Sequence, residues 1–140
     1  MEKLLHVDDD PFQLEWVQAV FEGEYQVGAY PDAESALSQL QQLESEEKPT
    51  VAILDLDLPG MNGYELCRQI RHIPNGRHVP VVMLTSRSSP FDRARGALAG
   101  CDTYLTKPVT LKDFYAAVHK SLTKRYSVDE LAARGYRRLQ

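Results

Sequence analysis

At 140 residues, with 43% hydrophobic and 26% charged positions, the chain suits one compact domain with a buried core, which excludes a two-domain enzyme and a disordered segment. Residues 1–119 carry 10 Lys+Arg against 18 Asp+Glu and residues 120–140 six against two, so an acidic body, unsuited to nucleic acid, ends in a short basic tail. The longest apolar run, Val79 to Leu84, is far below the roughly 18 residues of a membrane span. The Met1-Glu2-Lys3 start lacks the pattern of an export signal, and Cys67 and Cys101 have no partners at metal-ligand spacing, so a reducing cytoplasm is the expected setting.

Leu4-Leu5-His6-Val7 is a short buried strand, followed by Asp10-Pro11, an N-cap with proline at the first helical position. Leu14, Val17, Val20 and Phe21 then share one helix face. Tyr25, Val27 and Ala29 alternate with Gln26, Gly28 and Tyr30, the pattern of an edge strand. Asp32 caps a second helix with Ala36, Leu37, Leu40 and Leu43 in a stripe. Val51–Leu54 is apolar throughout, as interior parallel strands are. A Gly60–Gly63 turn leads to a third helix marked by Leu66, Cys67 and Ile70, ending at Pro74-Asn75-Gly76.

Val79–Leu84 reads as a fourth strand with Pro80 near its start. Ser89-Pro90-Phe91-Asp92 opens a fourth helix, Thr103–Thr106 is a fifth strand, and Thr110 with Asp113 opens a fifth helix through Phe114, Ala117, Val118 and Leu122. Five strand–helix units imply an α/β fold with a parallel sheet covered on both faces. A domain over 1–122 is then followed by a basic amphipathic tail or linker helix over 123–140, with a Ser127–Glu130 capping box and Val128, Leu131, Ala132, Tyr136 and Leu139 near helical spacing. Gly135 interrupts that pattern. The expected role of the tail is docking on the body or self-association into a homodimer, in preference to nucleic-acid contact by Arg134, Arg137 and Arg138.

Open parallel sheets bind ligands beyond the carboxyl ends of their strands. Those ends carry Asp8-Asp9, Asp55, Thr85-Ser86 and Lys107, so three carboxylates, a hydroxyl and an ammonium converge on one edge. Clustered carboxylates repel one another and must share protons or hold a cation, and an all-oxygen set suits Mg²⁺. One carboxylate, already ionised at neutral pH, can then attack phosphorus while the hydroxyl and the ammonium hold phosphoryl oxygens. Asp57 and Arg87 lie two residues beyond Asp55 and Thr85 and are expected to pair across the pocket mouth and slow attack by water.

Four segments carry a resemblance: Val7-Asp8-Asp9-Asp10-Pro11, Leu54 through Gly63, Val81 through Ser86, and Asp102 through Pro108. In this order and spacing they are similar to the receiver domain of two-component response regulators, the chemotaxis-regulator-like family. The resemblance implies a flavodoxin-like doubly wound five-stranded sheet of order 2-1-3-4-5. It implies that Asp55 is the phosphoacceptor and that Asp8 and Asp9, with Asp55 and the main-chain carbonyl of Asp57, hold Mg²⁺. Thr85 is implied as the switch hydroxyl, Tyr104 as the switch aromatic and Lys107 as the phosphate-binding lysine, with a cis bond to Pro108. A histidine kinase or histidine phosphotransfer protein is implied as donor. A downstream protein partner is implied on the face formed by the fourth helix, fifth strand and fifth helix, which changes when Thr85 moves toward the phosphoryl group and Tyr104 turns inward.

Two alternatives stand beside this reading. Asp55-Leu56-Asp57 after an apolar strand also imitates a phosphohydrolase of the haloacid-dehalogenase type, although an acidic pair upstream of the nucleophile does not fit it. A receiver-like module that acts without phosphorylation is the other.

Overall fold

The computed structural model describes residues 2–43, 49–74 and 76–135. Asn75 and the tail residues Tyr136, Arg137, Arg138 and Leu139, to which the sequence patterns assign a helix end and part of an amphipathic face, lie outside the described residues. Strands β1 (Glu2–Val7), β2 (Tyr25–Tyr30), β3 (Val51–Leu54), β4 (Val81–Thr85) and β5 (Thr103–Thr106) alternate with α1 (Pro11–Val20), α2 (Ala33–Gln42), α3 (Gly63–His72), α4 (Pro90–Ala99) and α5 (Leu111–Arg125). The sheet is parallel throughout, in the order β2-β1-β3-β4-β5. This is the doubly wound order 2-1-3-4-5, which places the crossing point between β1 and β3. An extra C-terminal helix, α6 (Val128–Ala133), follows α5. No helix among the described residues is long and apolar enough to cross a membrane.

Each helix starts where a short polar side chain takes up a free backbone N–H. Asp32 accepts from Ser35, Asn62 from Glu65, Ser89 from Asp92 and Thr110 from Asp113, and Ser127 and Glu130 form a reciprocal capping box. Such caps are each worth about 1 kcal/mol. Alternation along the strands divides the core into two layers. Leu4, Ile53, Val82 and Leu84 pack with Val17 and Phe21 of α1 and Phe114, Val118 and Leu122 of α5. Leu5, Val7, Leu54 and Met83 pack against Ala36 and Leu40 of α2, Leu66 and Ile70 of α3 and Ala99 of α4.

Two strand starts differ from the apolar patterning. β4 begins at Val81 rather than Val79, because the Val79 N–H is bonded to Gly76 O in a short 3-10 turn (Gly76–His78) and Pro80 has no N–H to give to a ladder. β1 starts at Glu2, since Glu2 and Lys3 still pair with Tyr25 and Gln26 of the edge strand.

Candidate functional site

The carboxyl ends of β1, β3, β4 and β5 meet at one edge. The alternation that fills the core continues past the strand ends and sorts the polar groups: Asp8 and Asp55 follow His6 and Ile53 on the side of α1 and α5, while Thr85 and Tyr104 belong with Met83 on the side of α3 and α4. Asp8 is fully buried and Asp55 nearly so, whereas Asp9 is exposed. One carboxylate oxygen from each of Asp8, Asp9 and Asp55 lies within 4.8 Å of the others. Lys107, from the end of β5, donates from Nζ to Asp8 Oδ2 at 2.7 Å and to Asp55 Oδ2 at 3.4 Å. Asp8 Oδ1 accepts the Asp10 N–H at 2.9 Å.

Close backbone packing shapes this edge. A Cβ on Gly63, the first residue of α3, would stand 2.1 Å from the carbonyl oxygen of Asp55, so only glycine lets α3 begin there and bring the β3–α3 loop back over the site. Glu34, in the first turn of α2, holds the same loop from outside by accepting the Met61 N–H at 2.6 Å. The Lys107–Pro108 peptide is cis.

Burial raises the pKa of Asp55, the Lys107 charge pulls it back, and the neighbouring Asp8 raises it further, for a net upward shift. For Lys107, burial works against the ammonium but is outweighed by the hydrogen bond to Asp8 and the charge of Asp55, so its pKa is raised. Three carboxylates facing one ammonium leave an excess of negative charge at a partly buried site, and an all-oxygen donor set matches a hard divalent cation such as Mg²⁺.

The other polar residues meet at Arg87. Thr85 is fully buried and its hydroxyl accepts the Arg87 N–H at 3.3 Å. Tyr104 donates its hydroxyl to the Arg87 carbonyl at 2.8 Å, and its ring lies against Gly96 of α4, where a Cβ would come within 2.9 Å. Arg93 stands 5.1 Å from the ring centre on another side. The Arg87 guanidinium donates from Nε to Asp57 Oδ1 at 2.7 Å, with both side chains about half exposed. Ser86 lies beside Lys107 and Pro108 in an open groove that runs to Asp10, Gln13 and Trp16 of α1.

Two contributors escaped the sequence reading. Glu34 gave no signal, because its contact with Met61 depends on how the α2 and α3 crossovers meet. His6 was absorbed into an apolar run, although it is the one polar residue there and lies two positions before Asp8.

The response regulator receiver domain family matches residues 4–119, and the chain belongs to it. Over 134 residues it is 33% identical to the response regulator PleD of Caulobacter vibrioides, covering 94% of this chain but 28% of the length of PleD. A CheY-like receiver domain protein from Methanospirillum hungatei superposes with a TM-score of 0.79 at 25% identity, over 89% of this chain and 96% of that one. The receiver domain of the sensor histidine kinase PA1611 from Pseudomonas aeruginosa, which has magnesium coordinated in its active-site cleft, matches with a TM-score of 0.76 at 26% identity, over 87% and 98% of the two chains. The family is one of signalling domains that act as phosphorylation-dependent switches, and membership removes the phosphohydrolase alternative.

Proposed function

We propose that this domain takes a phosphoryl group onto Asp55 from the phosphohistidine of a histidine kinase or phosphotransfer protein on the cytoplasmic side. The observation that carries this is the meeting of Asp8, Asp9 and Asp55 within 4.8 Å, with Lys107 bonded to Asp8 and Asp55. Asp8, Asp9, Asp55 and the main-chain carbonyl of Asp57 would hold Mg²⁺. Bound there, the ion offsets carboxylate repulsion and draws charge from the phosphoryl oxygens.

The protein's own groups do the rest. An Asp55 oxygen attacks phosphorus in line as the P–N bond breaks, and the electron pair leaves with the donor imidazole. Lys107, already 3.4 Å from Asp55 Oδ2, receives a phosphoryl oxygen as charge moves outward. The Thr85 hydroxyl is free to turn from the Arg87 N–H toward that group. Because the Arg87 backbone also receives the Tyr104 hydroxyl, movement at Thr85 passes to Tyr104 and the surface of α4, β5 and α5, where a downstream partner would read it. Asp57 and Arg87, paired across the mouth, would slow hydrolysis of the acyl phosphate.

The test is incubation with Mg²⁺ and acetyl phosphate followed by prompt intact-mass measurement. One phosphoryl adduct that requires both Mg²⁺ and Asp55, and is absent from Asp55→Ala, supports the proposal. A folded protein that gains no adduct from acetyl phosphate or from a histidine kinase would overturn it in favour of a module that acts without phosphorylation.

A further inference from the structure

His6 is the last residue but one of β1, between Ala29 of β2 and Ile53 of β3, with no exposed surface. Among the described residues, its Nδ1 and Nε2 are the buried side-chain polar atoms that lack a hydrogen-bond partner. Leaving such a group unpaired costs folding free energy that an apolar side chain of similar size would not. An imidazole ring always carries at least one N–H to give, and here neither ring nitrogen has a partner among the described residues.

The ring stands at the floor of the acidic pocket. Its Nε2 is 4.0 Å from Asp8 Oδ2, the oxygen that also accepts from Lys107. A shift of about 1 Å brings the two atoms within hydrogen-bonding range. Asp8 is held on its other oxygen by the Asp10 N–H, and Oδ2 is the oxygen that faces His6.

We propose that His6 is a positioning residue for the acidic pocket: its ring N–H donates to Asp8 when that carboxylate turns from Lys107 toward a divalent cation. An apolar residue at this place would stabilise the metal-free fold yet leave Asp8 held by Lys107. The proposal rests on the reading that Asp8, Asp9 and Asp55 hold Mg²⁺.

Mg²⁺ titrations of the unphosphorylated protein, followed by the fluorescence of its single tryptophan, Trp16, beside the pocket, test this together with thermal melts in chelator. His6→Leu should melt higher than the parent without metal and bind Mg²⁺ several-fold more weakly, while His6→Gln, which keeps a donor, should recover most of the affinity. In the parent, the ¹⁵N resonances of the His6 ring should move on adding Mg²⁺, a readout that needs no variant to fold. Equal Mg²⁺ affinity in His6→Leu and the parent, or ring resonances indifferent to Mg²⁺, would overturn the role of His6 and leave the Mg²⁺ reading intact. A parent that binds no Mg²⁺ would overturn both.

Discussion

The two ends of the sheet use aspartate in opposite ways. At the carboxyl edge, Asp8, Asp9 and Asp55 gather within 4.8 Å, and Lys107 bonds two of them, Asp8 and Asp55. At the amino edge of β4 and β5, Asp102 alone receives Arg71 from α3 at 3.1 Å, Arg125 from α5 at 2.7 Å and the Val81 N–H at 2.8 Å, and its carbonyl accepts from Lys124. Arg71 and Arg125 also reach the Gly100 carbonyl. One end has more carboxylate than its cations can neutralise, and the other has more cation than its carboxylate needs. The satisfied end is a staple that ties two helices to two strands. The unsatisfied end is poised to take up something positive, or to lose charge by reacting. The balance of partners, and not the residue type, separates the structural aspartate from those proposed to be functional.

The largest expected loss follows from removing the staple. Asp102→Ala leaves Arg71 half-buried without its carboxylate and the Val81 N–H without its acceptor, so unfolding in urea should show a loss of about 3–5 kcal/mol. A loss under about 1 kcal/mol would mean that the carbonyls around Arg71 suffice and that the two edges differ less than their geometry indicates.

The amino edge has a second fastening in α6. Leu131 enters the α1–α5 core layer, and Arg134 bonds Glu2 at 3.2 Å while lying 4.7 Å from the ring centre of Tyr126. Leu131→Ala should lower stability by about 2 kcal/mol, the low end for a buried leucine, because a six-residue helix at the surface can settle into the space. One shared urea transition is expected, with α6 melting with the body. A separate early transition reported from the tail would make α6 an appendage.

The carboxyl edge was legible in the sequence for a topological reason. In a parallel sheet every strand ends on the same side, so locating the strands locates Asp8, Asp55, Thr85 and Lys107 without any distance. The caps were legible because they are local, as with Asp32 to Ser35 and Ser89 to Asp92. What needed the structure were contacts set by crossover length and helix angle: Glu34 on Met61 across 27 residues, Arg71 on Asp102 across 31, and the isolation of His6 inside a short buried strand. Asp102 entered the sequence reading only within a motif, and nothing local marks it as a hub. The start of β4 also escaped, since Val79 is as apolar as Val81 and only the 3-10 turn before it takes its N–H.

The excess of negative charge makes Asp55→Asn informative in the opposite direction from Asp102→Ala. The folded state raises the pKa of Asp55, chiefly by burial, so ionising it costs stability as the pH rises from the unfolded value of 3.8 through the folded one. Below 3.8 the carboxyl is neutral in both states and asparagine brings no gain. In chelator at pH 7, Asp55→Asn should therefore melt higher than the parent, with the gap closing on acidification below 3.8. Added Mg²⁺ should reverse the order by stabilising the parent more, by about 2.7 kcal/mol at 100 times its dissociation constant. A gap that does not change with pH would place its origin in packing and not in charge.

The smallest effect on stability is expected at Arg87, and there the consequence is kinetic. Its guanidinium meets Asp57 at 2.7 Å with both side chains about half in water, and the hydrogen bond to Asp57 raises the arginine pKa. Exposed pairs of this kind are screened and contribute little to folding, so Arg87→Ala should melt as the parent does. Under the proposed function the pair would shield Asp55, since Asp57 follows Asp55 and Arg87 follows Thr85 by two residues each. Removing the guanidinium should let water reach an acyl phosphate on Asp55 more freely and shorten its half-life several-fold, measured as decay of the phosphoryl adduct by intact mass after the donor is removed. Equal decay in Arg87→Ala and the parent would show that the pair is no more than two solvated charges, and the unsatisfied edge would then lack the lid that sets it apart from the staple at the other end.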